Sequence, residues 1–347
     1  MLQGGLEWSR DHYEGTNRVR DEEAGHQADT AVAWAQHRWS LTNRVTTTVG
    51  ARVDRRSQFE TAVSPKAAAS VRLTDRLIAR LSYGRGFRAP DLGQLYYRFL
   101  SPSNFYQVIG NPDLNPEYGH SWQAGGEYVA AGRRARVGVN LFRNDVRDLI
   151  ESLSIGFAAT PAQLSALLQR EGLDPSFRPA LGRLVLTYRN LFDVVTRGVE
   201  ADGEVALTGS ISLGAAYTYL TARDNDTDLA LTGRHRHQGH TRLSWQPRRS
   251  GFRASFRGTF FSSWIAARTT TAGVVQDTVA PRFNLWDAFL SQRLGRGLSA
   301  YLTLDNLLDD QDPNTGVLLP TGAPANIFRP EAGRAARVGV QWAFSAR

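Results

Sequence analysis

Apolar and polar residues alternate along most of this chain, and that two-residue period sets narrow limits on its fold. In segment 45–54, the odd positions carry Val, Thr and Ala, whereas the even positions carry Thr, Gly, Arg and Asp. The same alternation recurs in 134–141, 199–205 and 337–344. Since successive side chains of a strand point to opposite sides, the pattern predicts strands with one apolar and one polar face. The polar face is too highly charged for the core of a soluble domain.

The number and length of these segments indicate a membrane-spanning barrel. About fourteen segments alternate for roughly ten residues or more, the length that a tilted strand needs to cross a bilayer. Short turns alternate with longer, polar connections, which we place at 15–26, 54–62, 87–118, 152–182, 223–234, 266–278 and 307–333. We therefore predict an all-β fold, a transmembrane antiparallel β-barrel, in which the even-numbered side chains of 198–206 face the lumen.

Eight tryptophans lie mostly within the predicted strands or near their ends. Tryptophan is enriched where a membrane meets water, so the set is interpreted as interfacial girdles, with ordinary core residues as the alternative. The residues are Trp8, Trp34, Trp39, Trp122, Trp245, Trp264, Trp286 and Trp342.

Composition and charge exclude several classes of protein. The chain of 347 residues has no cysteine, which excludes disulfides and thiolate metal sites. Its net charge of +8 comes almost entirely from arginines spread through the sequence, so nucleic acid is not an expected partner. The first residues lack the charged and then apolar pattern of a signal peptide. This leaves two interpretations: a soluble cytosolic protein, or a chain whose true N-terminus lies upstream.

One connection contains a helical pattern. In 152–182, Thr160 is suited to cap a helix, Pro161 to occupy its first turn, and Gly172 to follow its end, which predicts a short helix over 161–171. Its leucines make an apolar stripe. The helix either packs against neighbouring connections, which is the favoured interpretation, or forms part of a lid over the barrel mouth.

The sequence offers no catalytic motif. It contains neither G-x-S-x-G nor H-E-x-x-H, and no enzyme activity is expected. His235 and His237 are predicted to share one strand face, with His240 on the other. A pair of this kind can share a metal ion, but no third ligand follows at a suitable spacing. An ordinary strand start is therefore favoured.

A short acidic run offers a weak metal candidate, and no cofactor is expected. Asp224, Asp226 and Asp228 alternate as the ligands of calcium loops do. The run lacks the glycine and the closing glutamate of an EF-hand. A solvated turn is the default interpretation and calcium binding the weaker alternative.

Several stretches, taken together and in order, resemble TonB-dependent outer-membrane receptors. "GFRAPDLGQLY" is followed by "GNPDLNPE" and "SWQAGGEY". A later stretch, "TRGVEADGEVALTGSISLGAAYTYLTARD", has Arg197, Gly198 and Glu200 in place. "LTLDNLLDDQDP" and "ARVGVQWAF" are similar to the closing hairpin of the family. The resemblance runs from about residue 40 to the end of the chain.

The resemblance implies a fold and a location. Members of this family have a 22-stranded barrel with an N-terminal plug inside it. Residues 1–347 would then be a partial barrel domain, with about 14 of the 22 strands and without the plug. Connections 87–118 and 152–182 would be extracellular. The location implied is the Gram-negative outer membrane, with membrane lipid and lipopolysaccharide as partners.

The resemblance also implies a function. It predicts a receptor and transporter for a scarce nutrient, a ferric siderophore or cobalamin, which TonB energises through an N-terminal part that this chain does not contain. Haem ranks lower because 89–111 contains no histidine, although haem receptors of the family commonly have one there. The alternatives are a passive porin-like channel and an outer-membrane barrel enzyme.

Candidate ligand-binding residues lie in or near the expected outer connections. The prolines of 87–118 mark non-strand backbone. Its aromatic residues either present a rigid contact surface or brace the connection against its neighbours. Arginines nearby could attract an anionic metal chelate, with rim solubility or contact with lipopolysaccharide as the alternatives. The predicted set is Arg88, Tyr96, Tyr97, Arg98, Phe105, Tyr106, Arg268 and Arg329.

Overall fold

The computed structural model of the chain describes residues 1–17, 22–101, 106–173, 180–190, 193–271, 274–295, 297–313 and 332–343. The α-helices within these ranges are α1 (Leu92–Tyr96) and α2 (Pro161–Arg170), and a 3₁₀ turn spans Ala131–Arg133. Neither of these helices has the length and apolar character needed to cross a membrane. The strands are β1 (Leu2–Asn17), β2 (Glu22–Ser40), β3 (Val45–Arg56), β4 (Ala62–Arg72), β5 (Leu77–Arg88), β6 (Arg98–Leu100), β7 (Tyr106–Ile109), β8 (Glu117–Val129), β9 (Ala135–Arg147), β10 (Ile150–Ala158), β11 (Arg183–Asn190), β12 (Val194–Ala206), β13 (Ile211–Asp224), β14 (His237–Trp245), β15 (Phe252–Phe261), β16 (Trp264–Thr271), β17 (Val274–Ala280), β18 (Phe283–Gly295), β19 (Leu298–Asp305) and β20 (Ala335–Trp342).

Fourteen strands form one large antiparallel sheet, which confirms the predicted fold class. The order is β1-β2-β3-β4-β5-β8-β9-β12-β13-β14-β15-β18-β19-β20, so every strand pairs with the next one of the sheet along the chain. In the part of the chain that the structure describes, β1 pairs only with β2 and β20 only with β19. The short turns lie at one end of the sheet and the longer connections at the other. We call these the short-turn end and the long-connection end.

The two faces of the sheet have the chemistry that the alternation predicts. Glu200 and Asp202 of β12 line a concave polar surface, where Asp202 accepts a hydrogen bond from Arg136 and Glu200 one from Asn140. On the opposite face of β9, Val139 is 44% exposed. The even-numbered positions Glu200 and Asp202 of β12 therefore lie on the polar, concave face of the sheet, the side that the prediction assigned to the lumen, and the apolar side chains stand on the opposite face.

The polar face carries alternating charges across four neighbouring strands. Arg80 of β5 lies 3.3 Å from Glu127 of β8, Glu127 lies 3.8 Å from Arg136 of β9, and Arg136 pairs with Asp202 of β12. Each carboxylate therefore has a guanidinium partner across the strand boundary, which favours this register of the four strands.

Three tryptophans support the girdle interpretation. Trp39, Trp245 and Trp342 lie on the apolar face at the short-turn ends of their strands and are 55%, 47% and 60% exposed. The core interpretation is wrong for these three. Trp34 is an exception to the girdle, because it is in register with Arg52 on the polar face.

Part of the predicted connections is strand instead. The structure places β6 and β7 in 87–118, most of β10 in 152–182, and a hairpin, β16–β17, over 266–278. We predicted polar connections for these three segments, and non-strand backbone for 87–118, and the prediction is wrong where these strands lie. The strands are short, with three residues in β6 and four in β7, so an alternating pattern has little length over which to show itself.

Candidate functional site

Two of the long connections, the one between β5 and β8 and the one between β9 and β12, fold together into one small sheet at the long-connection end. β7, from the first connection, lies parallel to β11, from the second, with Tyr106 opposite Leu184. β6 pairs with β7 and β10 with β11, both antiparallel, so the sheet order is β10-β11-β7-β6. We call this arrangement, together with α1 and α2, the loop unit.

Side chains tie the two connections together where their backbones meet. The Gln107 amide donates a hydrogen bond to the Ala180 carbonyl at 2.9 Å and accepts one from the Ala180 N–H at 2.8 Å. The buried Thr187 hydroxyl donates to the Ile109 carbonyl at 2.9 Å. Buried polar groups that all find partners favour a single arrangement of the loop unit.

Helix α2 covers one side of the small sheet. The Thr160 side chain accepts a hydrogen bond from the N–H of Gln163, whose own side chain bonds back, so the predicted N-terminal cap is present as a capping box. The helix ends at Arg170, with Glu171 as its cap, one residue earlier than predicted. Its leucines are buried together with residues of the small sheet: Ile109, Ile155, Leu164, Leu167, Leu168 and Val185. This agrees with the favoured interpretation of a helix packed against neighbouring connections.

Helix α1 anchors the other side of the loop unit. Leu95 is buried against Leu114 and Ile150, and Tyr188 packs against the same cluster. Asn111 donates a hydrogen bond from its side chain to the Tyr188 carbonyl at 3.0 Å. Burial raises the pKa of the Tyr188 phenol above its ordinary value of 10.0.

An acidic residue joins β5, β8 and β10 where the loop unit meets the main sheet. Glu117 Oε1 accepts hydrogen bonds from Arg88 at 2.7 Å and from the N–H of Ile150 at 2.8 Å. Arg88 also donates to the Gln94 side chain at 3.2 Å. Arg88, predicted as a ligand-binding residue, thus uses both terminal nitrogens of its guanidinium to hold the loop unit in place.

A cavity of about 420 Å³ lies between the loop unit and the end of β2. Its chemistry is mainly apolar and aromatic, with one guanidinium, one carboxylate and one imidazole. The lining residues are His26, Leu95, Tyr96, Tyr97, Arg98, Ile109, Gly110, Pro112, Asp113, Gly172 and Leu173. The cavity brings together three predicted residues, Tyr96, Tyr97 and Arg98.

Aromatic contacts organise the wall of this cavity. The His26 and Tyr96 rings are stacked, with centroids 3.6 Å apart and planes 7° apart. Tyr97 stacks on Phe99 at 5.6 Å, and Phe99 in turn contacts Tyr106 at 5.9 Å. The aromatic residues thus both brace the connection and line the cavity, so the two interpretations of them are not exclusive.

Gly110 permits the close approach of two backbone segments beside the cavity. Its N–H donates to the Tyr97 carbonyl at 2.6 Å. A Cβ atom at this position would lie 2.5 Å from the Tyr97 nitrogen and 2.6 Å from the Tyr96 nitrogen. The glycine in "GNPDLNPE" is therefore required for the geometry of the loop unit.

Arg268 has a structural role in the β16–β17 hairpin. It pairs with Asp277 at 2.6 Å and donates to the Ala230 carbonyl at 2.7 Å. Arg268 therefore ties the hairpin to the connection that follows β13, and it does not line the cavity. Two further predicted residues, Phe105 and Arg329, lie outside the described residues.

The histidines near β14 serve different partners and do not share a site. His235 Nδ1 lies 2.8 Å from the Ser262 carbonyl oxygen, and its ring packs 4.3 Å from Trp264. His237 Nδ1 lies 2.7 Å from the Tyr217 hydroxyl. The described residues contain no group of three or more His, Cys, Asp or Glu side chains that could hold a metal ion.

The acidic run 224–228 forms a turn. Asp224 Oδ1 accepts a hydrogen bond from the N–H of Asp226 at 2.9 Å. Asp228 lies 2.8 Å from Arg223 Nη1. One carboxylate thus caps the turn and another is paired with a guanidinium, which agrees with the default interpretation of a solvated turn.

His26 was absent from the predicted set. We placed 15–26 in a connection, whereas β2 begins at Glu22 and carries His26 toward Tyr96. The alternation of polar and apolar residues is weak in this stretch, so the sequence gives no signal that the strand extends so far. A contact across about seventy residues of chain has no local pattern to announce it.

Comparisons with known proteins agree with this architecture. The family described as "TonB dependent receptor-like, beta-barrel" matches residues 2–307. An iron-regulated outer membrane virulence protein of Vibrio cholerae is 25% identical over 251 residues, which are 71% of this chain and 36% of that protein. The siderophore receptor PirA of Pseudomonas aeruginosa superposes with a TM-score of 0.71 at 20% identity, over 99% of this chain and 53% of that chain.

A second solved structure has the same fold. The ferric enterobactin receptor PfeA of Pseudomonas aeruginosa superposes with a TM-score of 0.73 at 19% identity, over 99% of this chain and 51% of that chain. The chain thus spans about half the length of these solved receptors. The family match covers most of the sequence and confirms the resemblance, and the chain therefore belongs to the TonB-dependent receptor-like β-barrels, a family of the Gram-negative outer membrane.

Proposed function

We propose that this chain serves in an outer-membrane receptor that takes up a ferric siderophore with energy supplied through TonB. In this arrangement the long-connection end, including 87–118 and 152–182, faces the cell exterior. The relatives support the proposal through their names, which describe siderophore receptors and an iron-regulated protein.

The observation that carries the proposal is the cavity in the loop unit. Ferric siderophores are bulky chelates, and many are anionic and aromatic. Arg98 contributes a guanidinium to the lining, and the stacked His26 and Tyr96 contribute flat aromatic surface. A guanidinium can bind an anionic oxygen ligand, and rings can pack against aryl groups of the chelate.

The ranking of ligands rests on the relatives. Ferric siderophore stands above cobalamin because siderophore receptors are among the similar structures. The case against haem was the lack of histidine in 89–111, but His26 reaches the same cavity from β2. The one remaining reason to rank haem below a ferric siderophore is that the similar proteins are named as siderophore receptors or as iron-regulated.

Two further partners are expected if the long-connection end faces the cell exterior. The exposed apolar face would contact membrane lipid, and the long-connection end would approach lipopolysaccharide.

Two other functions make different demands. A passive channel would require an unobstructed lumen and no dependence on cellular energy. An enzyme would require a catalytic set of side chains and activity of the purified protein on lipid or peptide.

Ligand binding by the full-length receptor tests the proposal. Ferric enterobactin serves as the anionic aryl chelate, and its affinity is measured by fluorescence quenching in detergent. We expect Arg98→Ala to weaken binding about tenfold, the effect of losing one charge-assisted contact. Arg76→Ala, in a short turn at the other end of the sheet, is the matched control and should leave the affinity unchanged. If Arg98→Ala and the original protein bind ferric enterobactin with equal affinity, the cavity is not part of the ligand site.

A further inference from the structure

A wide pocket of about 810 Å³ lies at the short-turn end of the main sheet. It extends from the turn between β12 and β13, across the ends of β14 and β15, to the end of β18. The strand register places Thr259 of β15 on the polar face together with Asp202, so Arg253, six residues before Thr259, shares that face. The pocket therefore opens on the polar side of the sheet, away from the apolar surface.

Four exposed guanidiniums line this pocket, and no carboxylate lies among its described lining residues. The arginines are Arg248, Arg249, Arg253 and Arg293. None of these four side chains has an ion pair or a hydrogen bond with another residue that the structure describes. On β8, β9 and β12, by contrast, Arg136 has both Glu127 and Asp202 beside it. The pocket therefore concentrates positive charge that the sheet itself does not neutralise.

Backbone hydrogen bonds between neighbouring turns hold the pocket in one shape. The N–H of Gln246 donates to the Ser210 carbonyl at 2.8 Å, which joins the turn before β15 to the turn before β13. The N–H of Arg293 donates to the Gly251 carbonyl at 3.0 Å, which joins the same turn to β18. The backbone that carries the arginines is thus positioned before a ligand arrives, and this lowers the entropic cost of binding.

The size and the lining of the pocket indicate the class of ligand. Four strands spaced about 4.8 Å apart span about 14 Å, which is the length of four to five extended residues at about 3.3 Å each. A pocket of this volume suits a ligand much larger than a single inorganic anion. Among the described lining residues only Phe252 is aromatic, so sugar rings and aryl groups find little surface for stacking. Carboxylates on a peptide are the anions that best match these features.

We propose that this pocket binds an extended acidic segment of another polypeptide. Its carboxylates accept hydrogen bonds from Arg253 and Arg293 on the strands, and Arg248 contacts the segment from the turn. Alternate side chains of an extended segment point to the same side, so acidic residues at every second position face the arginines. In the orientation proposed for the receptor the short-turn end faces the periplasm, and the partner is therefore a periplasmic protein.

Fluorescence anisotropy of a labelled peptide, Glu-Ser-Glu-Ser-Glu, with the full-length receptor in detergent tests this proposal. We expect this peptide to bind and its neutral counterpart, Gln-Ser-Gln-Ser-Gln, not to bind. The double variant Arg253→Gln/Arg293→Gln should weaken binding about tenfold, and Arg253→Lys/Arg293→Lys should retain most of the affinity. Arg76→Gln is the matched control, because Arg76 is exposed in another short turn and does not line the pocket, and it should leave the affinity unchanged.

Charge reversal provides a second test that depends on a gain of binding. The triple variant Arg248→Glu/Arg253→Glu/Arg293→Glu should lose the acidic peptide and bind Lys-Ser-Lys-Ser-Lys instead. The proposal is overturned if the full-length receptor does not bind the acidic peptide, if the double Gln variant binds it normally, or if the triple variant does not bind the basic peptide.

A third probe separates a protein partner from the cell wall. Tighter binding of a disaccharide–tetrapeptide fragment of peptidoglycan than of the acidic peptide would assign the pocket to peptidoglycan and overturn the proposal. Ferric enterobactin affinity should be unchanged in all of these variants, because the loop unit lies at the other end of the sheet. A failure of the proposed receptor function would therefore appear as a different result.

Discussion

The imidazole of His26 lies flat on the phenol ring of Tyr96, with ring centroids 3.6 Å apart and planes 7° apart. His26 belongs to β2, a strand of the main sheet, and Tyr96 is the last residue of α1 in the first long connection. This contact therefore fixes the loop unit to the sheet at the cavity. Its loss should loosen the cavity wall while leaving the strands in place.

We predict that His26→Ala increases cleavage by trypsin after Arg98, which is exposed and lies two residues from the stacked ring. A stacked pair contributes about 0.5–1.5 kcal/mol beyond its buried area, so the open population of this segment should rise several-fold. The measurement is the rate of cleavage at this site by mass spectrometry. His12→Ala, an exposed histidine on the outer face of β1, is the control. The same cleavage rate in both variants would contradict a structural role for the stack.

Glu117 provides a second test of how the loop unit is held. Its Oε1 accepts from both Arg88 and the Ile150 N–H, and its side chain is only 12% exposed. Replacement by alanine leaves a half-buried guanidinium and a backbone donor without this acceptor, which costs about 1–3 kcal/mol. We expect faster amide hydrogen exchange at Ile150 in Glu117→Ala. Exchange should be unchanged in Glu60→Ala, where the glutamate is exposed and in the neighbouring connection.

The main sheet could be predicted because its signal is local. A two-residue period over about ten residues identifies each strand and both of its faces without reference to any other strand. The short turns place the strands that they join in antiparallel order, because a parallel pair needs a connection of a dozen or more residues. The same two-residue period predicts that Glu200 and Asp202 lie on the polar face of the sheet.

The loop unit could not be predicted in the same way. The parallel pair β7–β11 joins residues about eighty positions apart, and β6 is three residues long, so neither has a pattern of its own. The family motif located the connection without giving its geometry. In the structure its residues serve as braces: Asn115 exchanges hydrogen bonds with Asn190 at 2.8 and 2.9 Å. The ion pair of Arg88 with Glu117 could not be predicted either, because the two residues are 29 positions apart.

The β16–β17 hairpin should depend on pH through Asp277. Its hydrogen bond to Arg268, assisted by the positive charge of that residue, lowers the pKa of the Asp277 carboxyl below the ordinary value of 3.8. A lowered folded-state pKa stabilises the hairpin above pH 3.8, and this contribution is lost as the pH falls through the folded value. We expect the protection of 274–280 against hydrogen exchange, taken relative to the intrinsic rate at each pH, to fall as the pH passes below the folded-state pKa in the original protein and to be already low at pH 7 in Asp277→Asn. Asp226→Asn, in an exposed turn, is the control and should behave as the original protein does. An identical pH profile for all three proteins would mean that the Arg268–Asp277 pair does not order the hairpin.

The close approach at Gly110 gives the sharpest test of the cavity geometry. A Cβ atom there would meet the backbone nitrogens of Tyr96 and Tyr97 at 2.6 and 2.5 Å, and backbone cannot move aside as a flexible side chain can. Gly110→Ala should therefore displace the Tyr96–Tyr97 segment, break the hydrogen bond to the Tyr97 carbonyl and abolish high-affinity binding of ferric enterobactin. Gly86→Ala is the matched control, because the nearest atom to its added Cβ is 4.0 Å away. Both variants should reach the outer membrane and resist denaturation by detergent equally, since the strands of the main sheet are unaffected. Normal binding by Gly110→Ala would show that the ligand does not depend on the position of Tyr96 and Tyr97.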